Sequence, residues 1–306
     1  MPRAVRFDEY GGLEVLHIED VPEPTPGPGE VVVAVVATSI NPGEAKIRDG
    51  SLDAVFPTTF PSGEGSDFAG RVQATGDGAH AWKTGDEVIG WTDDRGAHAD
   101  FVVVPDANLT MKPPAVSWEQ AGALFVAGAT AYASAMAVNA QDGETVAVSA
   151  AAGGVGSVLV QLLRSRGVRV LGIAGEANAE WLRSVGVEPI RHGEGLGYRL
   201  RDAAPDGIDA FCDLYGGPYV ELAVGLGIAP ERINTIVDFP GAEKFGVKSV
   251  GGSDVASPGV LGELAEQIAD GEITIPIAAT YPLDRVRDAY EELAAGHTRG
   301  KIVLLT

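Results

Sequence analysis

The stretch that decides the fold is "TVAVSAAAGGVGSVLVQLLRSRGVRVLGIA", residues 145–174. Its first five residues, "TVAVS", are apolar or small and predict a short buried strand. "VRVLGIA", residues 168–174, predicts a second strand. The segment between them has apolar residues at helical spacing: Val155, Val158, Leu159, Leu162 and Leu163. Strand, helix and strand in this order predict a βαβ unit with parallel strands.

The small residues inside this unit match a dinucleotide-binding fingerprint. Ala151, Gly153 and Gly156 occupy the three small positions of G-x-G-x-x-G, with alanine at the first. We expect the backbone at Gly153 to approach a pyrophosphate, and Gly156 to let the helix pack close to the strand. Gly154 and Val155 lie between them in the first helical turn, whose amide hydrogens attract an anion. A tight turn that binds nothing is the alternative, and the order of the flanking elements favours a dinucleotide site.

Composition narrows the class of protein. A chain of 306 residues with 45% hydrophobic content is long enough for one or two domains. The formal net charge of −21 argues against nucleic acid or an anionic membrane as a partner. Cys212 is the only cysteine, which excludes an intrachain disulfide and a zinc site of several thiolates, and we expect it to be buried. No run reaches the roughly 18 apolar residues of a membrane span, and the first residues lack the apolar core of a signal peptide, so we expect a cytoplasmic protein.

Different patterns flank the βαβ unit. Upstream, "EVVVAVVATSI" (30–40), "FAGRVQATG", "DEVIGWT" and "HADFVVVP" predict the short strands of a partly open barrel. Ser117 has Gln120 at the spacing of a capping box, and "SWEQAGALFVAGATAYASAMAV" predicts one long helix. Strands and helices then alternate to about Ala279, which is typical of a doubly wound parallel sheet.

The domain boundaries follow from these patterns. "GKIVLLT" near residue 301 predicts a strand that completes the first domain. We therefore predict a first domain of residues 1–118 completed by 280–306, and a second domain of residues 119–279.

Eight segments, taken together and in order, carry a resemblance that covers essentially the whole chain. They are "GGLEVLHIEDVPEPTPGPGEVVV", "SINPGEAKIRDG", "FPSGEGSDFAGRVQATG", "KTGDEVIG", "GATAYASAM", "SAAAGGVG", "DLYGG" and "GHTRGKIVLL". The chain resembles the zinc-independent quinone oxidoreductases of the medium-chain dehydrogenase/reductase family. The resemblance implies an α/β protein with a GroES-like β-barrel catalytic domain and a Rossmann domain with a doubly wound parallel sheet. It also implies a cleft between the domains, NADPH as hydride donor, and a homodimer joined through the Rossmann sheet.

Two departures from relatives of this family bear on the chemistry. Zinc-dependent relatives have a cysteine in the region of Asn41 to Glu44 and Gly-His-Glu in the region of Gly65 to Asp67, where this chain has "NPGE" and "GSD". We therefore expect no metal ligands, and each of the five scattered histidines is expected to be a surface or structural residue. Many quinone reductases also have a tyrosine near the positions of Lys46 or Leu52, and its absence leaves the proton donor open.

The family motifs indicate which residues line the reacting groups. Asn41, in "NPGE", and Thr130, in "GATAY", are predicted to line the nicotinamide and the acceptor. Lys46 and Arg48 are further catalytic candidates, and ordinary surface charge is the alternative for both.

The cofactor predictions concern the ends of the parallel strands. Ala174 and Gly175 end the second strand and leave room for a 2′-phosphate, whereas Glu176 would repel it. The guanidinium of Arg191 can offset that repulsion, so we predict NADPH and keep NADH as the alternative. One later strand is predicted to end near Val237 to Phe239, and the next is predicted to end just before "SVGGS", residues 249–253. Backbone groups there, at Val237, Phe239 and Gly251, are predicted to hold the nicotinamide carboxamide.

The function predicted from these residues is hydride transfer from NADPH to a quinone. Reduction of an activated alkene, including an enoyl thioester, is an alternative acceptor chemistry. A zinc alcohol dehydrogenase and a non-catalytic dinucleotide-binding protein are alternatives of other classes. Each predicts a small-molecule ligand, and none predicts nucleic acid or a membrane as partner.

Overall fold

The computed structural model describes all 306 residues and divides into two compact units. The first unit comprises Met1–Val126, Ser257–Asp270 and Pro276–Thr306, and the second comprises Ala127–Ala256 and Gly271–Ile275. The units differ from the predicted domains in residues 119–126, 257–270 and 276–279, which lie in the first unit. The predicted division into 1–118 with 280–306, and 119–279, stays a proposal about which segments fold as domains.

Fifteen strands make up three sheets. They are β1 (Arg3–Phe7), β2 (His17–Asp20), β3 (Glu30–Ser39), β4 (Ser62–Gly63), β5 (Asp67–Thr75), β6 (Glu87–Trp91), β7 (Phe101–Pro105), β8 (Leu109–Met111), β9 (Thr145–Val148), β10 (Arg169–Ala174), β11 (Glu188–Arg191), β12 (Ala210–Asp213), β13 (Ile233–Thr235), β14 (Ile277–Pro282) and β15 (Lys301–Leu305).

Ten α-helices and one π-helix connect them. The α-helices are α1 (Pro42–Arg48), α2 (Trp118–Gly122), α3 (Thr130–Val138), α4 (Gly154–Ser165), α5 (Ala179–Ser184), α6 (Leu196–Ala203), α7 (Tyr219–Gly225), α8 (Phe239–Phe245), α9 (Pro258–Ala269) and α10 (Val286–Ala294). The π-helix spans Phe125–Ala129. No helix combines the length and the apolar character that crossing a bilayer requires.

The sheets of the first unit are built around β3, a ten-residue strand rich in valine. The large sheet has the order β14-β15-β3-β5-β6-β8, with β7 also paired to β3, and a smaller sheet has the order β2-β1-β4. β15 runs antiparallel to β3, with Val303 opposite Ser39, so residues 301–305 belong to this unit. Alternate valines of β3 face a buried core, because successive side chains of a strand point to opposite faces.

The second unit contains the predicted doubly wound sheet. Its five strands are parallel and have the order β11-β10-β9-β12-β13. The chain leaves β9 toward β10 and β11 on one side and returns to β12 and β13 on the other, so the strand order reverses between β9 and β12. Cys212 in β12 is fully buried, as predicted, and burial raises the pKa of its thiol to about 12.

The single long helix predicted after Ser117 is wrong. Ser117 does cap a helix, accepting a hydrogen bond from the Gln120 amide, but α2 ends at Gly122 and a π-helix precedes α3. A Cβ on Gly122 would lie 2.8 Å from the Cβ of Ala37, so the helix packs directly on β3. The amide of Val126 donates to the Asp67 carboxylate at 2.6 Å, a side-chain partner that the sequence pattern did not reveal.

The strand predicted to reach Val237 ends earlier, at Thr235. The amides of Val237 and Asp238 donate to the Thr235 hydroxyl at 3.3 and 3.0 Å, which turns the chain out of the sheet. Asp238 then caps α8 by accepting from the Gly241 amide at 2.9 Å. The strand predicted before Gly251 is also wrong, since only one bridge forms there, between Asn234 and Lys248.

Candidate active site

The glycine-rich turn of the second unit is held in a strained shape. Ala150 follows β9 by two residues and has a φ of +47°, a left-handed conformation that is uncommon for a residue with a side chain. Its carbonyl oxygen accepts a hydrogen bond from the Gly153 amide at 2.9 Å. Gly153 itself is extended, with φ −76° and ψ −174°, and α4 begins at the next residue. Strain of this kind persists where the surroundings fix the backbone, and it is frequent at ligand sites.

The start of α4 presents free donors. The amides of Gly154, Val155 and Gly156 have no intrahelical acceptor because no helical turn precedes them, and Gly153 has no side chain that could cap them. The helix is 12 residues long, and its dipole places a partial positive charge at this end. Free amides and a positive helix end together favour a bound phosphate.

Added side chains would meet different surroundings at the two predicted glycines. A Cβ on Gly153 would contact only the Ala150 carbonyl oxygen, at 3.3 Å, and would otherwise occupy open space. A Cβ on Gly156 would overlap that same oxygen and lie 2.9 Å from the carbonyl carbons of Ala150 and Ala151. The space at Gly153 and the free amides beside it fit a dinucleotide pyrophosphate, and Gly156 keeps the helix close to the turn.

A cavity of about 520 Å³ lies where β10 and β11 end. Ala174 pairs with Arg191 across these strands, and both line the cavity together with Gly175 and Glu176. Arg199 also lines it, but its guanidinium is bound to four backbone carbonyls of residues 191–194. The cavity therefore combines two exposed guanidinium groups, Arg183 and Arg191, with three exposed carboxylates, those of Glu176, Glu188 and Asp202.

Thr130 and the loop after residue 250 lie side by side in the second unit. Thr130 is the first residue of α3, and a Cβ on Gly252 would lie 2.9 Å from its hydroxyl oxygen. The neighbouring Gly251 amide donates to Asp254 at 2.8 Å. Phe239, another predicted cofactor residue, is 47% exposed at the start of α8. The structure thus brings Thr130 and the predicted Gly251 loop together.

Every polar atom of the Asn41 side chain, in the first unit, forms a hydrogen bond. Asn41 caps α1, and its own amide hydrogen donates to Glu44 Oε2 at 2.7 Å. Its side-chain nitrogen donates to Glu44 Oε1 at 3.0 Å and to Asp67 Oδ2 at 3.1 Å, while its oxygen accepts from Lys301. Only 6% of the residue is exposed. These contacts hold the "NPGE" turn rigidly and leave Asn41 no free donor.

Asp67 is the centre of this buried network. Its carboxylate accepts from Ser39, Asn41 and the Val126 amide, and Lys301 Nζ lies 3.5 Å away. Asp67 is fully buried and Lys301 is 5% exposed. A metal ion bound between Asn41 and Asp67 would have to displace this ammonium group. The structure contains no group of three or more histidine, cysteine, aspartate or glutamate side chains arranged to hold a metal ion.

The two basic candidates of the first unit have different environments. Arg48 is 2% exposed, pairs with Glu64 and lies 4.7 Å from the centre of the Tyr290 ring. The interpretation of Arg48 as ordinary surface charge is therefore wrong. Lys46 is exposed and forms no ion pair.

The buried carboxyl of Glu64 predicts a pH dependence of the protein's stability. Burial raises its pKa from 4.5 to about 8, although the charge of Arg48 opposes the shift. Between these pH values the folded protein holds a proton that the unfolded chain has released, so the free energy of unfolding should fall as pH rises, by up to about 1.4 kcal/mol per pH unit. Glu64→Gln has no such proton, and chemical denaturation from roughly pH 5 to 8 should give a flatter profile than wild type.

Glu188→Gln serves as the control for this measurement. Glu188 pairs with Arg169, and both side chains are more than a third exposed, so its replacement should leave the slope unchanged. A Glu64→Gln profile as steep as that of Glu188→Gln would contradict the assignment.

Sequence reasoning missed Glu44, Tyr290 and Lys301. The hydroxyl of Tyr290 donates to Glu44 Oε2 at 2.7 Å, and desolvation by burial raises the pKa of Tyr290 well above its ordinary value. One signal was available, because Glu44 stands three residues after Asn41, the spacing of a capping box. No local signal indicates that Lys301 lies against Asn41, since 260 residues separate them.

Comparison with known proteins places these features in a family. The sequence profile of the alcohol dehydrogenase GroES-like domain matches residues 27–115, and that of zinc-binding dehydrogenases matches residues 195–304. A quinone oxidoreductase of Pseudomonas aeruginosa is 30% identical over 339 residues, which cover 100% of both chains. The chain belongs to the quinone oxidoreductases of the medium-chain dehydrogenase/reductase family.

Two further members of this family match the chain over nearly its full length. A quinone oxidoreductase of Rattus norvegicus is 28% identical, with 99% of this chain and 97% of the relative covered. The structure of the Escherichia coli quinone oxidoreductase complexed with NADPH superposes with a TM-score of 0.89 at 25% identity, covering 99% and 100% of the two chains. This quinone oxidoreductase family member is therefore an oxidoreductase with a GroES-like unit and a Rossmann unit.

Proposed function

We propose that this oxidoreductase transfers a hydride from NADPH to a quinone without a metal ion. The observation that carries the proposal is the start of α4, where free amides adjoin open space at Gly153. When bound, the nicotinamide supplies the hydride, which is the difficult part of the chemistry. The protein's part is to hold the cofactor, and the amides of Gly154, Val155 and Gly156 hold its pyrophosphate in this proposal.

The preference for NADPH over NADH rests on the cavity at the ends of β10 and β11. Arg183 and Arg191 offer guanidinium groups that pair well with a 2′-phosphate. Glu176, in the same cavity, opposes a phosphate by like charge and suits ribose hydroxyls instead. Glu188 and Asp202 also line the cavity, and Glu188 is paired with Arg169 at 2.6 Å. We propose that the two guanidinium groups outweigh the carboxylates at the position of the 2′-phosphate.

Residues of both units have proposed roles toward the reacting groups. Thr130, Val237, Phe239 and Gly251 are proposed to border the nicotinamide through hydroxyl and backbone groups. Asn41 is proposed to act by fixing the "NPGE" turn, because its side chain already has partners on each polar atom. The names of the relatives support a quinone acceptor. We further propose a homodimer located in the cytoplasm.

The test is oxidation of NADPH and NADH, followed at the nicotinamide absorbance, with three acceptors. These are a 1,4-benzoquinone, an enal and an enoyl thioester. We expect the benzoquinone with NADPH to give the highest kcat/KM. A higher value with the enal or the thioester would assign the enzyme to alkene reduction instead, and a higher value with NADH would overturn the cofactor assignment.

The Glu176→Ser variant tests the proposed preference for NADPH over NADH. Removal of the opposing carboxylate should raise the ratio of kcat/KM for NADPH to that for NADH by about tenfold, corresponding to roughly 1.4 kcal/mol. Glu180→Ser, at an exposed acid outside the cavity lining, is the matched control and should leave the ratio unchanged. An unchanged ratio for both variants would mean that the 2′-phosphate does not lie at Glu176.

A further inference from the structure

Asp213, the last residue of β12, is a fully buried carboxylate that forms no ion pair. It accepts four hydrogen bonds instead. One oxygen accepts from the Ser149 hydroxyl at 2.8 Å and from the amides of Tyr215 and Gly216, each at 3.0 Å. The other accepts from the Thr235 hydroxyl at 2.8 Å. All four partners are donors, so the carboxylate is satisfied without a cation.

Each hydroxyl partner shapes a loop at the end of a neighbouring strand. Ser149 directly follows β9 and precedes the strained Ala150, and its oxygen also accepts from the Leu214 amide at 2.8 Å. It therefore anchors the beginning of the glycine-rich turn. Thr235 ends β13, and its oxygen accepts from the amides of Val237 and Asp238. It therefore anchors the loop that contains two of the proposed nicotinamide contacts.

The third contact explains the "DLYGG" segment, residues 213–217. Gly216 and Gly217 have φ values of +87° and +66°, which side chains disfavour, so the segment forms a tight turn. The Asp213 carboxylate closes this turn by accepting from the amides two and three residues after it, as aspartates commonly do in turns. One carboxylate thus binds the loops after β9, β12 and β13.

These three strands are adjacent, and the strand order of the sheet reverses between β9 and β12. In open α/β sheets ligands bind outside the carboxyl ends of the strands at such a reversal. The carboxylate that ties the three loops together lies at this place in the fold.

We propose that Asp213 is a positioning residue for the dinucleotide, holding the glycine-rich turn and the Thr235 loop at a fixed separation. The proposal rests on the proposed function, because it assigns the first loop to the pyrophosphate and the second to the nicotinamide. Asp213 acts through Ser149 and Thr235 and touches neither cofactor nor substrate.

Two variants separate the branches of this contact. Ser149→Ala removes the link to the glycine-rich turn, and Thr235→Val removes the link to the second loop. Ser134→Ala is the matched control, since Ser134 is a fully buried hydroxyl that pairs with Asn234 and not with Asp213.

The readout is the dissociation constant of each of two probes. One probe is NADPH, and the other is 2′-phospho-ADP-ribose, which lacks the nicotinamide. Ser149→Ala should weaken both probes by about tenfold, because both contain the pyrophosphate. Thr235→Val should weaken NADPH by about tenfold and the shorter probe by less than about twofold. The Ser149→Ala/Thr235→Val double variant should show a smaller fold-loss of NADPH affinity than the product of the two single fold-losses, because both loops depend on one carboxylate.

A merely structural role predicts a different result. It would lower the unfolding temperature in all variants, the Ser134→Ala control included, and leave the ratio of the two dissociation constants at the wild-type value. The proposal would be overturned if Thr235→Val kept the wild-type ratio of the two dissociation constants while circular dichroism showed that the variant is folded. Failure of the wild-type protein to bind either probe would instead overturn the proposed function.

Discussion

Gly153→Val should abolish NADPH binding in a protein that still folds. The backbone at Gly153 has a negative φ that valine adopts readily, and an added Cβ meets only the Ala150 oxygen. The valine methyl groups would then occupy the open space where a pyrophosphate must approach the helix amides. We expect a loss of at least about a hundredfold in affinity, roughly 2.7 kcal/mol, measured by fluorescence titration with circular dichroism alongside.

Gly156→Ala is the companion variant, and it should lower the stability of the fold rather than act directly on the binding of NADPH. The new methyl group would overlap the Ala150 carbonyl, which is backbone and cannot rotate away. We expect a loss of stability of about 1–3 kcal/mol or more in chemical denaturation. If Gly153→Val unfolds while Gly156→Ala is stable, the roles of the two glycines have been assigned the wrong way round. If folded Gly153→Val binds NADPH with wild-type affinity, the turn is not a cofactor site.

Lys301→Met should destabilise the protein by about 3–5 kcal/mol, because it leaves a fully buried carboxylate without its ammonium partner. Asp67 would keep hydrogen bonds from Ser39, Asn41 and Val126 but lose the only cation beside it, and the Asn41 oxygen would lose its donor. Urea denaturation at constant pH measures the loss.

Lys83→Met is the matched control for this loss, since Lys83 is exposed and forms no ion pair. Its effect should stay within about 0.5 kcal/mol of zero. A loss for Lys301→Met as small as the control's would mean that the ammonium contributes little to the buried network.

The sequence predicted those parts of the molecule whose determinants are local. The βαβ unit at residues 145–174 follows from hydrophobic spacing and glycine placement, and both are visible within 30 residues. The different roles proposed for Gly153 and Gly156 follow from the fingerprint for the same reason. The doubly wound sheet is confirmed because strands and helices alternate in a regular order.

What the sequence could not predict depends on partners distant in the chain. The helix after Ser117 breaks where Asp67, 59 residues before Val126, takes that residue's amide. Arg48 reads as surface charge in a helix of seven residues, yet Glu64 and Tyr290 bury it. Asp213 opens the DLYGG segment, but that segment does not indicate its partners Ser149 and Thr235, which lie 64 and 22 residues away in the chain.

The pairing of β15 with β3 has a consequence for how the chain folds during synthesis. Lys301 reaches Asn41 across 260 residues, and Tyr290 reaches Glu44 across 246. Until residues 286–305 have left the ribosome, the carboxylates of Glu44 and Asp67 have neither phenol nor ammonium to pair with, and burying them is costly. The second unit has no such requirement for its sheet, since β9 to β13 lie within residues 145–235. Contacts of high sequence separation form late, so the unit that is started first is completed last.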